Sequence, residues 1–285
     1  MTLREALATG FSQFHADPRL QEDALRDAAH LLRHTLSISQ ATLLAHYDRV
    51  LTPEEEAAYR SFIARRLTHE PIQYITGERE FYGLPLRVNP AVLIPRNSTE
   101  TLVEAVLDEL KPQAGEVLRI VDVGTGSGAI AIALAHHLPS AQITALDLSP
   151  EALEVAVSNA ALNALDHRIR FLVSDLLSVV SGEPAFDAVI SNPPYIPTTY
   201  RDRLHPQIRD YEPEVSLYGG PAGLDIYRRL IPQARAALAP NGLLALEIGH
   251  RQRQGVLDLL TDWDDVRLVN DLQQIPRVVL ARRPE

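Results

Sequence analysis

The sequence predicts an α/β chain in which a small all-α domain is followed by a doubly wound, Rossmann-like sheet. Three observations carry this prediction. From about residue 99 onward, strand-like and helix-like runs alternate, the signature of a parallel sheet covered by helices. Residues 1–75 carry apolar positions at three- and four-residue spacing and no strand signal. Between them, Gly77, Gly83, Pro85, Pro90 and Pro95 punctuate short extended runs, which suggests a hairpin-like linker. The expected boundaries are therefore a helical bundle over 1–75, a linker over 76–98 and the α/β domain over 99–285.

In the first domain, Leu25, Ala28, Ala29, Leu32 and Leu36 form one predicted helical stripe, and Tyr59, Phe62, Ile63 and Leu67 another. Thr52-Pro53-Glu54-Glu55 is a helix start: the threonine can cap free amides, proline suits the first turn, and Glu55 can bond back to the cap. In the second domain, 117–123 reads as a buried first strand, followed by strands at 142–147, 169–175, 186–192 and 242–249. A closing hairpin is expected from runs at 266–269 and 277–283. Helices fit at 128–137, 150–162, 223–238 and 251–261, and Ser149-Pro150-Glu151 begins one of them in the preferred way.

The chain has 285 residues, a formal net charge of −10 and no cysteine. Disulfides and thiolate metal sites are thereby excluded, and the acidity argues against a broad phosphate-binding surface. No direct nucleic-acid partner is expected. The first 20 residues lack the apolar core of a secretory signal, and no run approaches the roughly 18 apolar residues of a membrane span. A soluble, cytoplasmic, monomeric protein with no membrane association is the expectation. His30 and His34 share a helix face without an evident acidic third ligand, and His136 and His137 are adjacent in sequence and cannot share a face. No metal site is predicted.

Gly124-Thr125-Gly126-Ser127-Gly128 lies where the first strand should turn into a helix, and glycines there let the backbone approach a ligand. Alone the turn is ambiguous, because a nicotinamide enzyme satisfies the looser version of the pattern. Asp147 ends the second predicted strand, where its carboxylate can accept ribose hydroxyls, and Asp175 ends the third, where it can face an adenine amine. Together they indicate an adenosine-containing cofactor without saying which.

Asn192-Pro193-Pro194-Tyr195 follows the fourth predicted strand and should face the glycine turn across the point where strand order reverses. These residue types suit methyl transfer to a planar nitrogen, whose lone pair is delocalised. The Asn192 carbonyl can accept one N–H and the Pro193 backbone carbonyl the other, with the turn stiffened by consecutive prolines. Tyr195 offers a flat face for stacking. Alignment then does most of the catalytic work, at roughly 7–11 kcal/mol. Hydride transfer has no use for this tetrapeptide.

The segments QYITGEREFYG (73–83), DVGTGSGAIAIALA (122–135), ISNPPYIP (190–197) and YEPEVSLYGGPAGLDIYRRLI (211–231) carry a more specific likeness. From about residue 25 almost to its end the chain resembles the peptide chain release factor glutamine methyltransferases, the PrmC/HemK family of class I methyltransferases. The resemblance implies a seven-stranded sheet with an antiparallel last strand, and S-adenosyl-L-methionine as cofactor, leaving S-adenosyl-L-homocysteine. It implies as substrate the glutamine side-chain amide of the Gly-Gly-Gln motif in release factors, a modification linked to translation termination, with the helical domain docking the factor. By the same resemblance residues 124–128, Asp147, Leu176 and Asn192 contact the cofactor. Asn192 to Tyr195 hold the substrate, and Phe81 helps close the pocket. Ser98 stands where the family usually has an acid and Asn97 where it has proline, and Gln273–Pro276 replaces a Gly- and Arg-rich turn. Two rivals stay open: an amino-methyltransferase acting on adenine or guanine in nucleic acid, and a non-catalytic cofactor-binding docking protein.

Overall fold

The computed structural model describes residues 1–111 and 117–285. They form two compact units, residues 1–77 with 205–211, and residues 78–204 with 212–285.

The first unit is helical: α1 (Leu3–His15), α2 (Ala24–Leu36), α3 (Gln40–Ala45), α4 (Pro53–Leu67) and α5 (Ile72–Thr76). The start of α4 is the capping box read from the sequence: the Glu55 amide donates to Thr52 Oγ1 at 3.2 Å, and the Thr52 amide to Glu55 Oε2 at 3.0 Å. The core of this unit gathers Leu3, Phe14, Leu31, Leu32, Tyr59 and Ile63. The buried face of α2 keeps most of the predicted stripe: Ala28 and Leu32 are fully buried and Ala29 and Leu36 pack against the core, while Leu25 is 57% exposed. Ala24, Asp27 and Leu31 face inward as well. Asp27 is fully buried because Arg66 Nε donates to its Oδ2 at 2.8 Å across the α2–α4 packing. Gly10 gives α1 its close approach, since a β-carbon there would overlap the Tyr59 hydroxyl. That hydroxyl donates to the Ala28 carbonyl at 3.2 Å.

The second unit opens with an antiparallel hairpin, β1 (Glu78–Phe81) and β2 (Leu84–Arg87). Its two-residue turn, Tyr82-Gly83, has positive φ at both positions (51° and 76°), the turn whose twist matches the strands. Next comes α6 (Asn97–Leu110), a helix the periodicity reading did not name although Leu102, Val103, Val106, Leu107 and Leu110 are all buried on it. The sheet strands are β3 (Arg119–Val123), β4 (Gln142–Asp147), β5 (Ile169–Val173), β6 (Phe186–Ser191), β7 (Leu238–Glu247), β8 (Asp264–Asn270) and β9 (Pro276–Arg282). Between them run α7 (Ala129–His137), α8 (Pro150–Leu162), α10 (Asp225–Ala237) and α11 (Arg253–Leu259). The short α9 (Pro206–Arg209) belongs to the first unit.

The seven strands lie in the order β5-β4-β3-β6-β7-β9-β8. Pairing is parallel through β7, and β9 enters antiparallel between β7 and β8. Both faces are buried, as a helix-covered parallel sheet requires. Ile120, Ile143, Ala188, Ile190 and Leu243 pack under α6 and α7, while Val121, Leu146, Val189 and Leu244 pack under α10 and α11. The observed strands follow the predicted runs closely, with two shifts that matter below. β5 ends at Val173, so Asp175 lies beyond the strand, and β7 starts early, at Leu238.

The Asp27–Arg66 pair yields a stability prediction. Asp27→Ala strands a buried guanidinium and should lower the unfolding free energy by about 3–5 kcal/mol, whereas the apolar double replacement Asp27→Leu/Arg66→Met should recover most of the loss. Urea denaturation checks both, and an unchanged midpoint for Asp27→Ala would refute the assignment.

Candidate active site

Strand order reverses between β3 and β6, and a cavity opens at their C-terminal ends. It holds Gly124, Gly126, Asp147, Asp175, Leu176 and Asn192 together, six of the nine residues expected at the cofactor. Two roomier surface grooves lie elsewhere, one beside Arg119 and Arg168 and one beside Glu104 and Gln273, and neither contains the glycine turn or the tetrapeptide.

The turn is built so that ligand-facing positions lack side chains. Gly124 and Gly126 have φ of 73° and 56°, and no atom lies within 4 Å of where a β-carbon would sit on either. Gly128 serves packing instead, because a β-carbon there would come to 3.2 Å from Ala156 of α8. Thr125 and Ser127 are buried and do not line the cavity. The Thr125 hydroxyl donates to Asp122 Oδ2 at 2.6 Å, and the Ser127 carbonyl accepts from Asn159 Nδ2 at 2.9 Å. Asn159, fully buried, also exchanges two hydrogen bonds with the backbone of Arg87, so one side chain ties hairpin strand β2 to the glycine turn.

Asp147 accepts the Gly126 amide on Oδ2 (2.7 Å) and the Ser149 amide on Oδ1 (2.9 Å). Each oxygen keeps a lone pair, which is what a vicinal diol needs. Burial raises its pKa, and those amides pull the other way. Asp175 is exposed and paired with Arg229 Nη2 at 2.5 Å. Leu176 and Leu148 supply apolar walls. This combination, open glycines, a diol-ready carboxylate and leucine walls, fits an adenosine moiety.

Asn192 follows β6 directly, its Nδ2 donating to Thr99 Oγ1 of α6 at 3.1 Å. Pro194 lines the same cavity, and Pro193 is buried. Tyr195 is turned inward: its hydroxyl donates to Glu247 Oε1 at 3.2 Å, and its ring lies against Gly249, where a β-carbon would come to 2.8 Å from Cδ2. It is absent from the cavity lining, so its ring braces the turn where stacking was expected. Burial and the neighbouring Glu247 carboxylate push the Tyr195 hydroxyl well above its ordinary pKa, so it stays protonated. Phe81 is also missing from the lining. It is 1% exposed in the core under α6, because the alternation of β1 turns that position inward.

Sequence reasoning overlooked Asp122, Thr99, Glu247 and Arg229. For Glu247 the signal was present, since a carboxylate within an otherwise apolar strand is rarely incidental. Thr99 became visible only with α6 in place. Among the described residues, no group of three or more His, Asp or Glu is placed to hold a metal ion.

Asp122 is fully buried beneath the turn, and burial pushes its pKa up to about 7. A carboxyl whose folded-state pKa lies above its unfolded value gives stability that is present at low pH and lost as pH rises through the folded pKa. Asp122→Asn keeps an acceptor for Thr125 and removes that loss. Its melting temperature should exceed the wild type's at about pH 8 and match it at about pH 4; thermal melts showing a pH-independent difference would contradict this.

Comparison with known proteins agrees with this geometry. The family description PrmC N-terminal domain matches residues 5–77, and Methyltransferase small domain matches residues 97–203. The chain is 44% identical to the release factor glutamine methyltransferase of Koribacter versatilis, covering 100% of this chain and 99% of that one. It is 45% identical to that of Moorella thermoacetica, covering 91% and 89%. Among solved structures it resembles the T. thermophilus 16S rRNA N2 G1207 methyltransferase (TM-score 0.54, 19% identity, 72% of this chain and 49% of that chain). It also resembles the ribosomal protein L11 methylase of Lactobacillus delbrueckii subsp. bulgaricus (TM-score 0.50, 23% identity, 70% and 86%). At those identities the structural likeness speaks to the class I methyltransferase fold alone. With full-length relatives at this identity, matching both its helical and its α/β unit, the chain belongs to the release factor glutamine methyltransferase family.

Proposed function

We propose that this protein methylates the side-chain amide nitrogen of the glutamine in the Gly-Gly-Gln motif of translation release factors, with S-adenosyl-L-methionine as donor. One observation carries the reading. Asn192, at the end of β6, shares a single cavity with Gly124, Gly126 and Asp147 at the ends of β3 and β4. An amide acceptor and a nucleoside cradle are thereby brought together.

When bound, the cofactor supplies an electrophilic methyl group. The chain's own residues do the rest. Asp147 takes the ribose hydroxyls on its two spare lone pairs, and the open glycines admit the backbone-hugging part of the ligand. Leu148 and Leu176 cover the adenine, and Asp175 keeps one oxygen for its amine beside the Arg229 pair. Asn192 Oδ1 and the Pro193 carbonyl each accept one hydrogen of the substrate amide. Holding both N–H bonds in the amide's plane aims the nitrogen's lone pair across the cavity. No strong base is needed before transfer, because the proton becomes acidic only once the nitrogen carries the methyl group. The raised pKa of Tyr195 agrees with this, since a hydroxyl held protonated serves as a brace and not as a base.

The substrate assignment draws on the relatives' names and on the helical unit that accompanies the catalytic one, which we assign to docking the factor. The net charge of −10 suits a protein substrate better than a polyanion. Among the described residues no helix is long and apolar enough to cross a membrane, and the proposed site of action is the cytoplasm.

Incubation with labelled S-adenosylmethionine tests the reading. Label should enter purified release factors and be lost when the loop glutamine is changed to alanine. Label on RNA or DNA, or label persisting on the alanine factor, would overturn it. Asn192→Ala should cut transfer by on the order of 10²-fold, the usual scale for a misplaced reacting group, while cofactor affinity measured by calorimetry changes little. Parallel loss of both would assign Asn192 to cofactor binding instead.

A further inference from the structure

The tetrapeptide carries a weakness in its own chemistry. Proline fixes φ near about −65° but leaves ψ free to turn, and the direction of the Pro193 carbonyl is set by ψ. Pro193 and Pro194 also have no amide hydrogen with which to tie themselves to a neighbour. The upstream end of the turn is held by β6. Its downstream backbone must be held by whatever packs against its carbonyls and by the amides beyond it.

Residues 217–225 supply that support. They belong to a segment that carries the family likeness, yet none of them lines the cavity. Ile196, directly after the tetrapeptide, forms a short parallel bridge with Tyr218. Three backbone bonds make the seam: the Ile196 amide donates to the Leu217 carbonyl at 2.9 Å, Gly219 to Ile196 at 3.0 Å and Thr198 to Gly220 at 3.0 Å. The loop is also closed on itself ahead of α10. The Gly223 amide donates to the Gly220 carbonyl at 3.2 Å, and the Asp225 amide to the Gly219 carbonyl at 2.9 Å. α10 in turn is fixed to the sheet, where the Tyr227 hydroxyl donates to the Glu247 carbonyl at 2.7 Å.

Two glycines allow the close approach. A β-carbon on Gly219 would overlap the Pro194 carbonyl oxygen, and one on Gly223 the Tyr195 carbonyl oxygen. Gly223 has φ of 73° as well, whereas Gly219 has an ordinary φ, so contact alone excludes a side chain at 219.

We infer that the Gly219–Gly223 loop is a positioning element for the transfer: it seats the Pro194 and Tyr195 carbonyls on bare α-carbons and thereby aims the Pro193 carbonyl at the substrate amide. The inference rests on the reading above, in which the Pro193 carbonyl accepts a substrate N–H.

Gly219→Ala puts one methyl group between the loop and the Pro194 carbonyl without backbone strain. We expect kcat for transfer to a release factor to fall roughly tenfold or more, since small misplacements of reacting groups are costly. The calorimetric Kd for S-adenosylmethionine should be unchanged. Gly242→Ala is the matched control. Gly242 also has an ordinary φ, and a β-carbon there would come to 2.8 Å from the Ala239 carbonyl oxygen, but it lies in β7 outside the cavity lining. It should lose melting temperature and keep kcat. Thr198→Pro deletes the third bond of the seam and adds nothing beside the tetrapeptide. Position 198 opens a 3-10 turn and follows Pro197 at ψ 134°, and both suit proline. This variant should lose a smaller factor, roughly threefold, again in kcat alone, and it decides the matter by itself if Gly219→Ala does not fold. A wild-type kcat in Thr198→Pro or in folded Gly219→Ala, a loss of cofactor affinity that matches the loss of kcat, or an equal loss of kcat in Gly242→Ala would overturn the inference and leave the methyltransferase reading intact. A wild-type chain that transfers no label to any release factor would overturn both.

Discussion

The chemistry at the edge of this sheet depends on the reversal of strand order between β3 and β6. Side by side and parallel, the two strands send their connections in opposite directions, and their C-terminal ends are left without a crossing segment above them. Gly124 and Asn192 open into that gap. Neither motif would mean much elsewhere: a glycine turn without the gap is a tight corner, and an Asn-Pro-Pro without it is a stiff exit from a strand. The parallel register that aligns Val123 with Ser191 sets the two motifs level. A slip of one residue would turn the side chains of β6 to the opposite faces of the sheet.

Around this gap the protein keeps several carboxyl groups out of water. Asp122 and Glu247 are fully buried and Glu212 nearly so, and burial raises the pKa of each. Each has its own compensation. Asp122 takes the Thr125 hydroxyl, Glu212 pairs with Arg96, and Glu247 gathers hydroxyls from α6 and from the tetrapeptide. Such groups cost stability relative to a plain apolar core. Their positions give a reason to keep them, since each holds a loop that borders the cavity. Asp122 fixes the glycine turn, Glu212 anchors the entry to α6 beside Pro213, and Glu247 holds the Tyr195 end of the tetrapeptide.

Much of this was legible in the sequence because it is written in short-range signals. Periodicity located the strands and six of the helices, α2, α4, α7, α8, α10 and α11; capping chemistry gave the start of α4, and glycine and proline marked the turns. Burial of the catalytic turn's own residues was less legible. Thr125 and Ser127 look like ligand contacts in the string, yet both face inward, since only the glycines of the motif present bare backbone to the cavity. Tyr195 and Phe81 misled in the same way, because an aromatic residue near a site can brace it from behind as readily as line it. Asp27 was hidden by its partner, as Arg66 is 39 residues away in sequence. Long-range polar pairs such as this one, and Glu247 with Tyr195, leave no periodic trace. What they do leave is a charged residue in an apolar run.

The membership of residues 205–211 in the helical unit bears on how the chain is made. His205 Nε2 contacts the Arg19 carbonyl at 3.3 Å, and the Tyr211 hydroxyl meets both the carbonyl and the side chain of Thr68. The helical unit is therefore two stretches of polypeptide separated by β1 through β6. On a ribosome adding about 5–20 residues per second, residue 205 emerges roughly 6–26 s after residue 77. During that interval the bundle must stand without the hydrogen bonds that His205 and Tyr211 supply. Its last hydrogen bonds close only after most of the catalytic sheet has been synthesised, so completion of the amino-terminal unit is a late event in the birth of this protein.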